Sequence, residues 1–274
     1  LHRLIRRQRQ MCIRDRDKRM KGFKNTWIVT EEGLKKTSFT YDQHFITIGK
    51  DEEGLEELPE DYVIVPGFID EHVHGAAGSD AMDGTKEDLK RIATALASEG
   101  TTAFLATTMT QSPENITKAL TAIKDYIDDK PVTGAEILGV HLEGPFISKD
   151  FIGAQPLEYV AIPSVETFKK YQSASGNHIR IVTLAPEVEG SSELIQYLKE
   201  NNIVASIGHT NAKYDDVAKA VKNGATNATH TYNAMKPIHH REIGTVGSAF
   251  LFDELTCECI CDGCLLYTSP SPRD

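Results

Sequence analysis

Seven short runs rich in β-branched and other apolar residues alternate with longer segments of helical period from residue 62 onward. The runs lie at 62–70, 101–108, 136–143, 179–186, 203–209, 225–231 and 254–262. The helical segments lie at 86–100, 112–129, 191–202 and 214–224. This alternation is typical of βα units in a parallel sheet. A closed (β/α)8 barrel takes about 250 residues. We therefore predict an α/β fold in which 62–263 form an incomplete TIM-type barrel, truncated after about seven strands.

A doubly wound parallel sheet is the competing architecture. That fold normally carries a glycine-rich phosphate-binding turn, G-x-G-x-x-G, after its first strand. The first run of this chain ends in DEHVHGAAGSDAMDG (70–84), which lacks that motif. The sequence therefore favours the barrel.

The two ends of the chain differ from the middle in composition. Residues 1–16 (LHRLIRRQRQMCIRDR) and 264–274 (CLLYTSPSPRD) read like translated sequencing adapter, so we expect a non-native head and tail. Residues 17–61 include short runs of Thr, Val, Ile and aromatic residues broken by turn residues, followed by an acidic segment (51–61) that we expect to be an exposed connection. The runs predict two or three antiparallel strands of a partial small β domain.

Charge and hydropathy exclude several classes of partner. The net charge is −10, and because residues 1–16 contribute +5, the rest of the chain carries −15. A body this acidic has no cationic stripe for a phosphate backbone, so we expect no nucleic-acid partner. No stretch approaches the roughly 20 apolar residues that span a bilayer, and no secretory signal is visible. We expect a cytoplasmic protein with no membrane partner.

Five side chains of metal-binding type stand at the ends of the predicted strands. His72 and His74 are two residues apart in an extended segment, so their side chains face the same side. Glu143, His209 and His230 end the third, fifth and sixth runs. Because functional groups of parallel βα folds lie at the carboxyl ends of the strands, we expect these five to meet at one rim. Imidazole and carboxylate ligands suit Zn²⁺ or another divalent metal such as Fe²⁺ or Mn²⁺.

Other residues of the same types have simpler interpretations. His141 lies two residues before Glu143 and shares its face, so we expect it to support the site or to pack in the core. Cys257, Cys259 and Cys261 are spaced by two, which does not match paired zinc ligands, and we expect them to pack as small apolar side chains.

Five segments around these residues form longer motifs: PGFIDEHVHG (66–75), GVHLEGPFIS (139–148), GAQPLEYV (153–160), SIGHTNA (206–212) and THTYNAMKPIHHRE (229–242). In this order they resemble the signatures of the N-acetylglucosamine-6-phosphate deacetylases of the amidohydrolase superfamily. The resemblance covers roughly residues 24 to 263. It implies a TIM-type barrel of the amidohydrolase kind with part of a small β-sandwich domain at the N-terminus, and it suggests a homodimer.

The resemblance also implies roles for individual residues. Glu143, His209 and His230 match the family's main metal ligands, while His72 and His74 match a pair found in some members, so one or two ions are expected. The implied reaction is hydrolysis of the acetamide of N-acetylglucosamine 6-phosphate, a step of amino-sugar catabolism.

A second set of positions matches family residues that contact the substrate. Ala154 and Gln155 match contacts to the sugar. Asn233, Ala234 and Arg241 match further substrate contacts, with the phosphate as the expected charge partner of Arg241.

The family's acid/base aspartate ends the eighth strand. In this sequence Asp262-Gly263 matches the end of the seventh strand and is followed at once by the adapter-like tail. We therefore expect no catalytic acid/base residue within this chain, and slow or absent turnover.

Three alternatives stay open. One is the galactosamine epimer of the substrate, since nothing in the sequence separates the two sugars. Another is cyclic-amide hydrolysis of the dihydroorotase kind, although that normally bridges two metals with a modified lysine rather than a glutamate. The third is a metal-binding fragment without enzymatic activity.

Overall fold

The computed structural model describes residues 21–41, 45–50, 54–131 and 133–260. The expected non-native head (1–16) and tail (264–274), and the Asp262-Gly263 pair, lie outside these ranges. The chain divides into two compact units, residues 1–67 and residues 68–274.

The first unit contains one five-stranded sheet. Its strands are β1 (Lys21–Thr30), β2 (Gly33–Tyr41), β3 (Phe45–Ile48), β4 (Glu56–Glu57) and β5 (Val63–Ile64). β1, β2 and β3 pair antiparallel in sequence order, as the alternation predicted, and bury Ile28 and Phe39. β4 and β5 pair parallel to β1. The segment 51–61, which we expected to be only an exposed connection, thus contributes a short strand.

The second unit is built on a parallel sheet of seven strands. They are β6 (Phe68–Val73), β9 (Thr101–Thr108), β10 (Glu136–Glu143), β11 (Ile179–Leu184), β12 (Val204–Ile207), β13 (Asn227–Ala228) and β14 (Thr256–Cys257); a small hairpin of β7 (Gly75–Ala76) and β8 (Ser79–Asp80) follows β6. Each strand of the large sheet pairs with the next one in sequence. This order matches the predicted truncated TIM-type barrel of about seven strands.

Helices connect most of these strands. They are α1 (Lys86–Ser98), α2 (Pro113–Asp128), α3 (Val165–Ala174), α4 (Ser191–Glu200), α5 (Tyr214–Asn223) and α6 (Gly244–Ala249). α2 illustrates why they begin where they do: the Ser112 side chain accepts a hydrogen bond from the Asn115 N–H, and Pro113 occupies the first turn, where its missing N–H costs nothing. Among the described helices, none is both long and apolar enough to cross a bilayer.

The run 62–70, predicted as a single strand, is divided in two. Val63 and Ile64 pair with β1 in the first unit, whereas the strand of the large sheet begins at Phe68. Pro66 lies between them and has no N–H to donate to a ladder, and it also restricts the residue before it. The two apolar halves therefore join different sheets.

The interior of the second unit is apolar between helices and sheet. Its largest fully buried side chains include Phe104, Phe146, Phe168, Leu142 and Leu184. The amphipathic helices α1, α2, α4 and α5 contribute the apolar faces that cover the sheet, with Leu89, Ile116, Leu194 and Val217 buried. Packing of this kind fixes the strands and holds their carboxyl ends in place.

Candidate metal centre

Four strands deliver the five predicted ligand side chains to one place. His72 lies on β6 and His74 directly follows it, while Glu143 is the last residue of β10. His209 and His230 come two residues after β12 and β13. Because all these strands are parallel, their carboxyl ends lie at the same rim of the sheet, and the five side chains meet there.

The most buried group, which we call site A, consists of Glu143, His209 and His230. The Nε2 atoms of both histidines lie 3.1 Å from Glu143 Oε1 and 3.1 Å from each other. All three residues are buried. Three ligand atoms therefore converge on one point inside the rim.

A second group, which we call site B, consists of His72, His74 and the same Glu143. His72 Nε2 lies 3.5 Å from Glu143 Oε1, and His74 Nε2 lies 3.3 Å from Oε2. The two Nε2 atoms are 3.4 Å apart. Glu143 is thus shared by both groups, which is the arrangement that two neighbouring ions would need.

Contacts of the opposite ring nitrogens orient two of these imidazoles. His209 Nδ1 lies 2.9 Å from the carbonyl oxygen of Phe151, to which it donates, so Nε2 is left with its lone pair towards site A. His72 Nδ1 lies 2.9 Å from Glu258 Oε2, and its Nε2 faces site B. Hydrogen bonds of this kind are typical of metal-ligating histidines.

Charge at the centre is dominated by Glu143. Burial alone would raise the pKa of this carboxyl, but its close contacts with the imidazoles of His209, His230 and His74 outweigh burial, and the pKa lies well below its ordinary value. Burial opposes the charged form of His74, yet the hydrogen bond and charge of Glu143 raise its pKa overall. The group is an ionised carboxylate surrounded by imidazoles.

The residues present fit a divalent cation. Imidazole nitrogens at 3.1 Å from each other and from one carboxylate oxygen cannot all be joined by good hydrogen bonds, whereas a cation between them accepts every lone pair.

A third group of possible ligands, formed by His72, His141 and Glu258, does not fit a cation in the same way. His141 donates from Nδ1 to the carbonyl of Glu71 and accepts at Nε2 from the Thr183 hydroxyl, so neither ring nitrogen is free.

His141 is a buried, neutral part of the barrel interior, in keeping with the expectation from its position before Glu143. Burial, followed by repulsion from His72, lowers its pKa to about 4. The hydroxyl of Thr183 that donates to its Nε2 also contacts Thr229, which in turn contacts Ser206. This chain of hydroxyls leads to His141, whose ring centroid lies 4.6 Å from that of His72 in site B.

Replacing Thr183 by valine should destabilise the protein by about 1–3 kcal/mol, because the change keeps the shape but leaves His141 Nε2 without its donor in a dry interior. Urea unfolding measures the difference. The same substitution at Thr256, an exposed position on β14, is the control and should change stability by less than about 0.5 kcal/mol. Equal effects of the two substitutions would contradict this role of the hydroxyl.

The residues predicted to contact substrate occupy three different settings. Gln155 is buried, and its amide nitrogen lies 3.0 Å from Glu143 Oε2, while Ala154 beside it is exposed. Asn233 and Ala234 are half-buried in the turn after His230. Arg241 is exposed in the loop that follows, and no described contact joins its guanidinium to site A or site B.

Glu258 was not among the site residues predicted from the sequence. It directly follows β14 and accepts hydrogen bonds from His72 Nδ1 and from the backbone N–H of His230. The available signal was one carboxylate inside the otherwise apolar run LTCECIC, which we interpreted through its cysteines alone. Cys257 is half-buried against an apolar cluster, as expected, whereas Cys259 is exposed, and Cys261 lies outside the described residues.

Comparisons with known proteins agree with this geometry. The amidohydrolase family matches residues 63–270. An N-acetylglucosamine-6-phosphate deacetylase of Bacillus subtilis (strain 168) is 47% identical over 209 residues, which cover 76% of this chain and 53% of the relative. An N-acetylgalactosamine-6-phosphate deacetylase of Escherichia coli O157:H7 is 35% identical over 201 residues, covering 73% of this chain and 53% of the relative.

A solved structure gives the same result for the fold. The crystal structure of N-acetylglucosamine-6-phosphate deacetylase from Thermotoga maritima matches with a TM-score of 0.77 at 36% identity, covering 89% of this chain and 63% of that one. The chain spans about half the length of the curated relatives named above. From the family match over residues 63–270, together with the parallel seven-stranded sheet, it follows that this chain belongs to the amidohydrolase family.

Proposed function

We propose that this protein hydrolyses the acetamide of N-acetylglucosamine 6-phosphate to glucosamine 6-phosphate and acetate, using one or two divalent ions at sites A and B. The observation that carries the proposal is the convergence of four imidazoles on the two oxygens of Glu143. The name of the Bacillus subtilis relative supports the substrate. We place the protein in the cytoplasm, with a homodimer as its expected assembly.

Each part of the centre has a task in this reaction. A divalent ion held by these residues would supply Lewis acidity, which would polarise the acetamide carbonyl and lower the pKa of water so that hydroxide, the nucleophile, is available near neutral pH. Glu143, held by the Gln155 amide and by the imidazoles, keeps its charge and a fixed position. His209 is held with Nε2 inward by the carbonyl of Phe151. These contacts set the ligand geometry before any ion arrives.

The substrate's two ends need different groups. The turn that carries Asn233 and Ala234 leaves site A directly after His230, so it is suited to contact the sugar beside the acetamide. Arg241 is free to approach a phosphate, to which a guanidinium can donate two parallel hydrogen bonds. Departure of the amine also needs a proton, which the resemblance assigns to an aspartate at the end of the eighth strand.

The test is a metal titration followed by an assay of acetate release. We expect the chain to bind Zn²⁺, and the loaded protein to bind N-acetylglucosamine 6-phosphate more tightly than N-acetylglucosamine, which lacks the phosphate. Acetate release by the loaded protein is then measured beside that of the Bacillus subtilis relative, and we expect the release to depend on the bound ion. Removing the ion with a chelator should abolish whatever release is measured.

The possible outcomes distinguish a deacetylase from a metal-binding fragment. Failure to bind Zn²⁺ would contradict the proposal outright. Bound metal with no preference for the phosphorylated sugar would favour a metal-binding fragment without enzymatic activity.

A second candidate substrate is N-acetylgalactosamine 6-phosphate. The Escherichia coli O157:H7 relative, 35% identical, supports it by its name. The same titration with both epimers decides between them, and tighter binding of the galactosamine epimer would reverse our assignment.

A further inference from the structure

We propose that Glu258 is a positioning residue that holds His72 with its Nε2 directed into site B and, through a second hydrogen bond, fixes the backbone of His230 in site A. The inference deepens the proposed function and rests on the metal centre described there. It concerns a residue that the sequence patterns did not identify.

Glu258 and His72 come from opposite edges of the seven-stranded sheet. His72 lies on β6, one edge strand, and Glu258 directly follows β14, the other edge strand. They are 186 residues apart in sequence, yet Glu258 Oε2 lies 2.9 Å from His72 Nδ1. Their side chains are only 12% and 15% exposed, so the contact is shielded from water. The sheet is therefore curled enough for its two edges to meet at the ligand rim.

The contact selects one form of the His72 ring. A carboxylate accepts hydrogen bonds, so Nδ1 of a neutral imidazole beside it carries the proton and Nε2 carries the lone pair. That Nε2 lies 3.4 Å from His74 Nε2 and 3.5 Å from Glu143 Oε1. A carboxylate behind a histidine ligand also raises the basicity of the ligand nitrogen. Glu258 thus prepares His72 to bind an ion at site B.

The same oxygen reaches the other site. Glu258 Oε2 accepts the backbone N–H of His230 at 3.1 Å. His230 has φ of +29°, a conformation that L-residues rarely adopt and that the surroundings must hold in place. One carboxylate oxygen therefore supports a ligand of site B through its side chain and a ligand of site A through its backbone.

Glu258 supports the ligands and is not itself a third ligand of a separate ion. The only described histidines that could join it in such a site are His72 and His141. Both ring nitrogens of His141 are engaged in hydrogen bonds, and Nδ1 of His72 is engaged by Glu258 itself. Glu258 and His141 are therefore held in hydrogen bonds beside site B and do not form a further ion site.

The first test needs no metal. Two-dimensional ¹H–¹⁵N correlation of histidine rings in the metal-free chain distinguishes a protonated Nδ1 from a protonated Nε2, and the signal of His72 is identified by its loss in His72→Gln. We expect a protonated Nδ1 in the wild-type chain and a loss of that preference in Glu258→Ala. Glu258→Gln, which keeps an acceptor oxygen, should retain the wild-type signal. An unchanged signal in Glu258→Ala would overturn the proposal.

The second test measures metal directly. Titration with Co²⁺, followed by its visible absorption, resolves the number and affinity of bound ions. We expect Glu258→Ala to weaken the ion at site B by about 10–100-fold, the usual effect of removing a group behind a metal ligand, and to weaken the ion at site A less. Glu258→Gln should lie between this variant and the wild type. Glu254→Gln, at an exposed position four residues earlier, is the matched control and should bind as the wild type does.

The two tests keep the inference and the proposed function apart. If Glu258→Ala bound the same number of Co²⁺ ions as the wild-type chain and with the same affinities, the positioning role would be refuted. The metal centre itself would stand. Absence of Co²⁺ binding in the wild type would refute the metal centre, and the ring signals of His72 would then still decide whether Glu258 sets its tautomer. Circular dichroism of each variant shows that the folded chain is being compared.

Discussion

Substitution of Glu143 by glutamine should remove metal binding at both sites. The carboxylate contributes Oε1 to His209, His230 and His72, and Oε2 to His74, so it is the residue common to sites A and B. A neutral amide offers one weaker ligand oxygen and places an N–H₂ group where a cation would lie. We expect affinity for Zn²⁺ to fall by at least ~10²-fold, since loss of a direct ligand exceeds the effect of losing a supporting group.

Stability should report the same change. A ligand that binds only the folded chain stabilises it by about 2.7 kcal/mol at a concentration of 100 Kd. The wild-type chain should therefore unfold at a higher temperature with Zn²⁺, and Glu143→Gln should not respond. The metal-free variant should fold, because a buried amide costs less desolvation than a buried carboxylate.

The control for this experiment lies on the same strand. Glu136 begins β10, which Glu143 ends, and it is exposed. Glu136→Gln makes the same chemical change away from the rim and should leave the thermal response to Zn²⁺ intact. Wild-type affinity and stoichiometry in Glu143→Gln would contradict both proposed sites.

Substitution of Gly144 by alanine should be among the most damaging single changes in the chain. Gly144 directly follows Glu143 and has φ of +75°. An added Cβ would lie 2.0 Å from Thr110 Oγ1 and 3.0 Å from Gln155 Oε1. Overpacking of this kind costs about 1–3 kcal/mol, and the left-handed backbone adds about 1–2 kcal/mol for an L-residue. Gln155 also donates to Glu143, so relief of the clash would move a ligand.

Gly78 separates the two contributions. It has φ of +77°, almost the same as Gly144, but an added Cβ would meet nothing within 4 Å. Gly78→Ala therefore keeps the backbone cost and omits the clash, and we expect a loss of about 1–2 kcal/mol. Urea unfolding of both variants, with Zn²⁺ titration of Gly144→Ala, measures the effect. Equal losses would show that the clash near Thr110 and Gln155 is absorbed without cost.

Local sequence patterns were sufficient to predict the bounds of a strand where the whole apolar run forms that strand. The runs 101–108 and 136–143 match β9 and β10 residue for residue, because an apolar run with turn residues at its ends has few other stable forms in a parallel sheet. They were less reliable at β13 and β14, each of two residues within longer predicted runs. The segment that forms helix α3 was not predicted to be helical.

The sequence by itself determined the fold class and the candidate ligands, since strand ends in parallel βα folds lie at one rim and His and Glu are the residue types found there. Tertiary structure decided what local patterns do not encode. It divided the run 62–70 between two sheets, made Glu143 the residue shared by two ligand groups, and placed Glu258 behind His72 from 186 residues away. The reason is physical. The hydrophobic period of a segment depends on residues that are near one another in the chain. The hydrogen bond between His72 and Glu258 forms only once the whole sheet has curled and its two edges meet.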